Sequence, residues 1–307
     1  MDSIVLLGTG SAVPTSSKNH PSIYLNLSGN RVLLDCGEGT QRQIRLAGLS
    51  PSIDYIFLTH WHGDHSLGVG GIIQSLNMFK SNKPLYIFGP KGTDKSVKSI
   101  LSTYKFYNRM NIVTKVIDQT REKKIISIGD YDIYSMNVKH SVPCVGYKIK
   151  EKDSINIDRD FLKSHGIKPS RELRKLKEGK DIVYNGKKVK ASEATYVKKG
   201  RTLAYLTDLM YEKKLAKFVK DVDVLIAECT LSSTKQKEAR ASFHLTSEDA
   251  VKLASEANVK SLVLIHQSQR YEGTDTIDKE VKDLCKKYKC KFSVTIGKDL
   301  DRINWGE

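Results

Sequence analysis

Short apolar runs alternate with amphipathic stretches over most of the chain, and each kind of stretch predicts a different element. Runs typical of buried strands cover residues 1–7, 22–27, 31–35, 53–58, 84–88, 203–207, 223–227, 261–265 and 291–296. Stretches with helical spacing cover residues 38–47, 66–79, 93–103, 211–218, 246–257 and 278–288, and strand patterns dominate residues 111–147. Two strand-rich halves that each carry helices predict an α/β fold built as a four-layer αββα sandwich.

Residues 151–200 interrupt this alternation. Gly166 and Pro169 break any regular element there, and residues 171–177 form a basic stretch with room for a helical turn or two. Asn185-Gly186 is typical of a tight hairpin turn. The sequence therefore predicts one α/β domain made of residues 1–150 and 201–307, with residues 151–200 as an insertion that projects from it.

The net charge of +16 is unevenly distributed. Residues 150–201 contain 16 Lys and Arg against 8 Asp and Glu, so this segment carries half of the excess. A positive surface of that size attracts polyanions such as nucleic acids. The alternative interpretation is a solvated, lysine-rich surface without a polyanionic partner.

Composition excludes several classes of protein. Charged residues make up 28% of the chain and neither Gly nor Pro is enriched, which excludes wholesale disorder. No apolar stretch approaches the ~20 residues of a membrane-spanning helix, and the N-terminus lacks the basic region and cleavage site of a signal peptide. The five cysteines show no CxxC spacing, so we expect reduced thiols in a cytoplasmic protein that does not enter a membrane.

The segment 59–65 places three imidazoles and a carboxylate directly after the apolar run 53–58. Gly63 marks a tight turn, and a strand that ends in a turn directs neighbouring side chains toward one point. Neutral imidazole and carboxylate are ligands that suit zinc, with manganese and iron as alternatives. The spacing H-x-H-x-D-H supplies more ligands than one catalytic zinc needs beside its water. The motif therefore predicts two adjacent divalent ions, held in part by His60, His62, Asp64 and His65.

Four further polar residues follow or end predicted strands and are candidates for the same site: Asp35, His140, Asp208 and His266. Side chains at the mouths of several strands are a common way for α/β enzymes to build a site on rigid supports. Taken singly, each residue is more typical of a capping or packing position. Taken together behind the 59–65 motif, they predict the remainder of a two-metal centre.

Several motifs follow the order of the metallo-β-lactamase superfamily. They are Leu7-Gly8-Thr9-Gly10-Ser11, the sequence LDCGEGTQ at 34–41 and the histidine motif at 60–65. His140, Asp208 and His266 fall where the later metal motifs of that superfamily are expected. The sequence LIHQSQRY at 264–271, with Glu228-Cys229-Thr230 and His244-Leu245-Thr246, resembles the tRNase Z family of tRNA 3′-processing endonucleases. The resemblance covers essentially the full length and matches the short form of that family.

The resemblance implies the metallo-β-lactamase fold and a site with two zinc ions. His60, His62 and His140 would hold one ion, and Asp64, His65 and His266 the second. Asp208 would bridge the two ions, and Asp35 would hold a ligand imidazole by a hydrogen bond.

The same resemblance implies hydrolysis of a phosphodiester in precursor tRNA. A pair of divalent ions lowers the pKa of a shared water for attack on phosphorus, and Asp64 would orient or deprotonate that water. His244, oriented by Glu228, would donate a proton to the departing oxygen. The products would be a 3′-hydroxyl and a 5′-phosphate.

The resemblance further implies that residues 151–200 form a substrate-binding arm and that the protein is a homodimer. Candidates for contact with RNA in this arm are Lys168, Arg171, Arg174, Lys175 and Lys177. The precursor tRNA would then be held away from the residues that carry out the chemistry.

Other functions are compatible with part of this pattern. A hydrolase of the same fold that acts on a small phosphodiester or a sulfate ester would need the same ligands, but the basic insertion and residues 268–271 favour tRNA. An electron-transfer diiron protein would carry Glu at position 62, and an inactive nucleic-acid-binding module would have lost a ligand; the sequence shows neither change. The native metal and the position of the cleaved bond stay open.

Overall fold

The computed structural model describes residues 3–79, 83–105 and 110–305. The chain forms two compact units, one made of Met1–Lys150 and Thr202–Glu307 and the other of Glu151–Arg201. The larger unit holds the alternation of strands and helices, and the smaller unit holds the segment that interrupts it.

Two seven-stranded sheets form the centre of the larger unit. The strands of the first sheet are β1 (Ser3–Gly8), β2 (Ser22–Leu27), β3 (Asn30–Leu34), β4 (Tyr55–Phe57), β5 (Leu85–Pro90), β6 (Ile112–Ile117) and β18 (Arg302–Ile303). Their order is β18-β1-β2-β3-β4-β5-β6. The pairs from β18 to β3 are antiparallel and the pairs from β3 to β6 are parallel.

The strands of the second sheet are β7 (Lys123–Ile128), β8 (Tyr131–Val138), β9 (Cys144–Glu151), β14 (Thr202–Leu206), β15 (Val224–Glu228), β16 (Ser261–Ile265) and β17 (Ser293–Ile296). Their order is β17-β16-β15-β14-β9-β8-β7. The four strands from β14 to β17 are parallel, and β9 pairs antiparallel with β14. Because parallel strands end at the same edge, residues that follow β14, β15 and β16 lie near one another.

The helices of the larger unit are α1 (Thr40–Leu46), α2 (Gly63–Ser66), α3 (Gly68–Met78), α4 (Thr93–Thr103), α8 (Lys213–Phe218), α9 (Gln236–Ser242), α10 (Ser247–Glu256) and α11 (Thr276–Lys287). Helices α1, α3 and α4 cover the outer face of the first sheet, and α8, α10 and α11 cover the outer face of the second.

Strand residues alternate between two apolar cores, as the two-residue period of a strand requires. Ile4 and Leu6 of β1 enter the core between the sheets, whereas Val5 and Leu7 pack against the helices of the first sheet. The second sheet contributes Tyr147 and Tyr205 to the core between the sheets. Three cores therefore separate four layers, and the predicted αββα sandwich is confirmed.

Most of the predicted elements are observed, and the differences have local causes. The predicted helix 66–79 is interrupted, because α2 ends at Ser66 and α3 begins at Gly68. Gly63 begins α2 rather than forming the predicted tight turn. Helix α9 escaped prediction because its sequence QKEARAS has no apolar stripe, and only Ala239 is buried. The first two residues of the predicted strand 1–7 lie outside the described residues.

The smaller unit has its own secondary structure and its own core. Its elements are β10 (Ser154–Ile157), α5 (Arg159–Ser164), α6 (Leu173–Lys177), β11 (Ile182–Tyr184), β12 (Lys187–Val189), α7 (Ala191–Ala194) and β13 (Thr195–Lys198). Leu162, Leu173, Leu176 and Ile182 are buried together within it. Asn185 and Gly186 join β11 to β12 with φ values of 48° and 77°, so the predicted Asn-Gly hairpin is confirmed.

Within the described residues, every helix is too short or too polar to cross a lipid bilayer.

We expect Leu176→Ala to destabilise the smaller unit. Leu176 is fully buried, so its truncation leaves a cavity that costs about 2–5 kcal/mol of the free energy of unfolding. Amide hydrogen exchange across residues 151–201 measures this loss. Val183→Ala is the matched control, because Val183 is 64% exposed in the same unit. Equal losses of protection in both variants would contradict the buried core.

Candidate active site

The histidine motif lies beyond the carboxyl end of β4 and runs into α2. Thr59 fixes this stretch, because its backbone N–H donates to the Asp35 carboxylate at 2.7 Å and its hydroxyl donates to the same carboxylate at 2.9 Å. The Thr59 carbonyl accepts from the backbone N–H of Val145 at 3.0 Å, which ties the motif to the second sheet. The candidate ligands that this stretch positions are His60, His62, Asp64 and His65.

Three other candidates lie just beyond the ends of strands, and each has a left-handed backbone conformation. Asp35 follows β3 with φ 56°, Asp208 follows β14 with φ 55°, and His266 follows β16 with φ 60°. This conformation costs an L-residue about 1–2 kcal/mol. Backbone strain of this kind collects at functional sites, where the surrounding structure holds a residue in place. The three residues therefore mark the strand ends at which the site is assembled.

The seven candidate ligands form two groups that share Asp208. The groups are His60, His62, His140 and Asp208, and Asp64, His65, Asp208 and His266; within each group the ligand atoms lie within 4.8 Å of one another. Oδ2 of Asp208 faces the first group, at 3.7 Å from His60 Nε2 and 3.9 Å from His140 Nε2. Oδ1 faces the second group, at 3.3 Å from His65 Nε2 and 3.1 Å from His266 Nε2. One oxygen of the shared carboxylate thus points into each group.

The chemistry of these atoms fits a divalent metal. His60 Nε2 is buried and has no hydrogen-bond partner among the residues that the structure describes, which is costly for a polar atom unless something else binds it. His62 Nδ1 faces His140 Nε2 at 3.2 Å, and His65 Nε2 faces His266 Nε2 at 3.3 Å. Imidazole nitrogens that converge beside carboxylates are the donor set of zinc and related ions.

The charges of the site favour the same conclusion. Burial holds the pKa of His60 well below its ordinary value, so the imidazole is neutral and its lone pair is available. Burial raises the pKa of Asp208, but the imidazoles of His266 and His65 outweigh this effect and hold the pKa well below its ordinary value. The shared carboxylate is therefore ionised, and it supplies negative charge that a bound cation would neutralise.

Hydrogen bonds on the far side of the ligands fix their orientation. Asp35 Oδ2 accepts from His65 Nδ1 at 2.8 Å. Thr230 Oγ1 lies 2.8 Å from His266 Nδ1, and His140 Nδ1 donates to the Phe243 carbonyl at 3.3 Å. Because one ring nitrogen of each of these three histidines is engaged, the other is directed into the site.

Three residues that orient this site received no role from the sequence, although Thr230 stands in the Glu228-Cys229-Thr230 motif. They are Tyr205, whose hydroxyl donates to Asp35 Oδ2 at 2.8 Å, and Thr230 and Phe243. The sequence around Tyr205 is typical of a buried strand and indicates only a core residue. Phe243 contributes a backbone carbonyl, which any residue type could supply. Thr230 lies two residues after Glu228, and this short spacing was the signal available.

A histidine–glutamate pair lies beside the two groups. His244 Nδ1 is 2.9 Å from Glu228 Oε2, and the ring centroids of His244 and His266 are 5.6 Å apart. Glu228 ends β15, is fully buried and accepts a second bond from the Leu209 N–H at 2.7 Å. Burial lowers the pKa of His244, but the Glu228 carboxylate outweighs it and raises this pKa to about 9. The imidazole is therefore protonated at neutral pH, with Nδ1 engaged by Glu228.

The five candidates for RNA contact lie in the smaller unit, and all of them are exposed: Lys168, Arg171, Arg174, Lys175 and Lys177. Arg174 pairs with Glu178 at 3.4 Å and Lys175 with Glu172 at 3.7 Å, both at the surface. Exposed pairs of this kind contribute little free energy, so they are easily exchanged for an external anion.

Two family models match parts of this chain. Residues 2–166 match the model described as anti-Pycsar protein Apyc1, and residues 188–267 match the model described as a beta-lactamase superfamily domain. The first match ends before Asp208, Glu228, His244 and His266, so it covers only part of the site.

The fold is shared with solved structures. The crystal structure of human tRNase Z, short form, superposes with a TM-score of 0.71 at 22% identity and covers 100% of both chains. The metallo-beta-lactamase fold protein YhfI from Bacillus subtilis superposes with a TM-score of 0.67 at 18% identity and covers 98% of both chains. At these identities the likeness shows the metallo-β-lactamase fold alone.

Relatives with higher identity match most of the chain. Ribonuclease Z of Nanoarchaeum equitans is 39% identical over 272 residues, which cover 88% of this chain and 85% of that protein. Ribonuclease Z of Thermococcus sibiricus is 35% identical over 307 residues, which cover 99% of this chain and 96% of that protein. The chain therefore belongs to the ribonuclease Z family.

Proposed function

We propose that this protein is a zinc-dependent endoribonuclease that removes the 3′ trailer from precursor tRNA and leaves a 3′-hydroxyl on the tRNA. The observation that carries the proposal is the His244–Glu228 pair beside two ligand groups that share Asp208. A proton donor next to such a centre suits a reaction whose leaving group is a poor one, such as a ribose hydroxyl. Membership of the ribonuclease Z family supports the choice of substrate.

The two ligand groups would each hold one zinc ion, with manganese or iron as alternatives that the same atoms accept. His60, His62 and His140 would bind one ion and Asp64, His65 and His266 the other, with one oxygen of Asp208 on each. When bound, the ions supply Lewis acidity at the phosphate and a nucleophilic water at neutral pH. Asp35 would hold His65 in its ligating orientation through the bond to Nδ1.

Asp64 is the proposed group that orients the nucleophilic water or accepts its proton. Its Oδ2 lies 3.3 Å from His65 Nε2 and 3.4 Å from His266 Nε2. Burial raises the pKa of Asp64, but these imidazoles outweigh it and hold the pKa far below its ordinary value. The carboxylate is therefore ionised and able to accept a hydrogen bond from water.

His244 is the proposed proton donor to the departing ribose oxygen. The Glu228 carboxylate keeps the imidazole protonated and fixes the ring through Nδ1, which leaves Nε2 as the donating atom. The Glu228 carboxylate is itself held by Leu209 and Thr230, so the donor sits on a rigid support.

The smaller unit is the proposed arm that binds the RNA away from the chemistry. Its exposed cations Lys168, Arg171 and Lys177 form no ion pair within the part of the chain that the structure describes. Side chains of this kind can neutralise phosphates and release counterions. Residues 1–150 and 201–307 then form the proposed catalytic domain.

A homodimer and a cytoplasmic location complete the proposal. The five cysteines are free thiols, which suits a reducing compartment. The dimer rests on the family resemblance, and sedimentation equilibrium of the purified protein tests it: a monomer at micromolar concentration would contradict it.

The decisive experiment compares two substrates. A 3′-extended tRNA transcript should be cut to a tRNA with a 3′-hydroxyl, at a much higher kcat/KM than a small phosphodiester such as a cyclic nucleotide or a nitrophenyl ester. A preference for the small substrate would identify a small-phosphodiester hydrolase instead.

We expect Asp208→Ala to lose metal and activity together. Wild-type protein should contain about two ions per chain by elemental analysis, as paired sites of this kind do. The variant should lose most of both ions, because the shared carboxylate faces both groups. Asp283→Ala is the control, because this carboxylate is exposed on α11. One tightly held ion in a fully active preparation would rule out the two-metal assignment.

We expect His244→Ala to slow cleavage of precursor tRNA by roughly 10²–10⁴-fold, the usual contribution of a general acid. Metal content should not change. The loss should be much smaller on a nitrophenyl ester, whose leaving group needs no proton. Equal losses on both substrates would make His244 a structural residue.

The His244–Glu228 pair predicts how the rate of precursor-tRNA cleavage depends on pH. The folded-state pKa of His244 is raised to about 9, so the acid form is present below that pH and is lost above it. Cleavage of precursor tRNA should therefore decline as the pH rises through about 9, while hydrolysis of the nitrophenyl ester should lack this decline.

We expect removal of the arm to weaken binding of precursor tRNA severely and to flatten its salt dependence, since fewer phosphate contacts release fewer counterions. Residues 152–199 can be replaced by a short Gly/Ser linker, because the Glu151 N–H donates to the Arg201 carbonyl at 2.8 Å and the ends lie side by side. Hydrolysis of a small phosphodiester should survive.

A charge variant sharpens this test without a deletion. Replacing Lys168, Arg171, Arg174, Lys175 and Lys177 by Gln should lower the salt slope and the affinity for precursor tRNA. The control replaces five exposed lysines of the larger unit by Gln, namely Lys213, Lys217, Lys220, Lys279 and Lys286. Equal effects of the two variants would show that net charge alone, rather than the arm, attracts the RNA.

A further inference from the structure

The Glu280 carboxylate of α11 collects hydrogen bonds from three serines of two separate loops. Its Oε1 accepts from the Ser232 hydroxyl at 3.1 Å, from the Ser233 N–H at 3.0 Å and from the Ser233 hydroxyl. Its Oε2 accepts from the Ser247 hydroxyl at 2.6 Å. One partly buried carboxylate thereby satisfies four donors, as polar groups removed from solvent require.

The two loops are the ones that position the proposed proton donor. Residues 229–233 follow β15 and begin next to Glu228, and residues 243–247 contain His244 and lead into α10. The Ser247 N–H donates to the Leu231 carbonyl at 2.9 Å, and Leu231 and Thr246 form a β-bridge. Glu280 therefore holds together the stretch that carries the carboxylate and the stretch that carries the imidazole.

Helix α11 gives this carboxylate a fixed base. Ile277, Val281 and Leu284 are buried in the core between α10, α11 and the second sheet, so the helix cannot rotate without opening that core. Tyr271 adds a second anchor, because its hydroxyl accepts from the Ser232 N–H at 2.9 Å. The loop after β15 is thus held by both Glu280 and Tyr271.

We propose that Glu280 is a positioning residue for proton donation, because it fixes the relative placement of the Glu228 and His244 loops. This inference rests on the proposed function. Within residues 3–79, 83–105 and 110–305, the hydrogen bonds of the Glu280 carboxylate go to these serines and none goes to a candidate metal ligand. Glu280 acts through the serines, whose loops set the 2.9 Å contact between His244 Nδ1 and Glu228 Oε2.

The test compares Glu280→Ala with the conservative Glu280→Gln. The alanine variant frees both loops and should lower kcat on 3′-extended tRNA by roughly tenfold, part of the roughly 10²–10⁴-fold that a general acid contributes. The glutamine variant should restore most of the rate, since its amide oxygen can still accept from Ser232 and Ser233 and its NH₂ can donate to the Ser247 hydroxyl. KM and metal content should stay near wild type.

A substrate with a good leaving group distinguishes a role of Glu280 in proton donation from a general disturbance of the active site. If Glu280 acts through His244, Glu280→Ala should leave hydrolysis of a nitrophenyl phosphodiester almost unchanged. Asp283→Ala removes an exposed carboxylate from the same helix and should leave both rates unchanged. If Glu280→Ala does not retain its metal, Ser247→Ala replaces it. This variant removes the donor to Glu280 Oε2 together with the bond that the Ser247 hydroxyl accepts from the Ser233 N–H. A smaller loss confined to the tRNA substrate is expected.

The outcomes distinguish the two proposals. Wild-type protein that fails to cut 3′-extended tRNA would overturn the proposed function. Wild-type protein that cuts it, with Glu280→Ala or Ser247→Ala equally slow on both substrates or unchanged on both, would overturn the role of Glu280. No recovery in Glu280→Gln relative to Glu280→Ala would also overturn it.

Discussion

The carboxylate of Asp208 is the constraint on which the site depends, because its two oxygens face different groups of histidines. The groups are drawn from both sheets: His60, His62 and His65 follow β4, whereas His140 and His266 follow β8 and β16. The ligand atoms come within reach of one another only when the two sheets pack at their observed separation. The apolar core between the sheets therefore sets the spacing of the candidate ligands as well as stabilising the fold.

Hydrogen bonds from two core tyrosines connect the core between the sheets to the candidate site. Tyr147 and Tyr205 are fully buried between the sheets, yet each hydroxyl ends at the catalytic edge. Tyr147 donates to the Leu58 carbonyl at 2.6 Å, just before the histidine motif, and Tyr205 donates to Asp35 at 2.8 Å. Each ring packs as an apolar residue while its hydroxyl orients the stretch that holds the ligands. A substitution that shifts the Tyr205 ring would therefore displace Asp35, and through Asp35 the imidazole of His65.

The sequence predicts the parts of this arrangement that are local or that end a strand. The spacing of His60, His62, Asp64 and His65 is visible within six residues, and apolar periodicity locates the strands after which His140, Asp208 and His266 stand. The fold class follows from the same periodicity. Local patterns cannot reveal long-range partners: Tyr205 meets Asp35 across 170 residues and Glu280 meets Ser233 across 47. Helix α9 escapes prediction because the loops and α10 hold it in place, and no apolar stripe of its own does so.

The left-handed backbone at Asp35, Asp208 and His266 restricts the residues at these positions in a way that ligand chemistry alone does not. Asp and Asn tolerate this conformation because their short side chains bond locally, whereas a longer or β-branched side chain pays the full steric cost. Glutamate offers the same carboxylate but not the same tolerance, so aspartate is the acid that suits positions 35 and 208. Substitution of Asp208 by every other residue would reveal two separate effects. One is the loss of a carboxylate oxygen, and the other is the free-energy cost of the left-handed backbone. Asparagine changes only the carboxylate oxygen, because it tolerates the same backbone. Glycine removes the side chain and also the cost of the left-handed conformation.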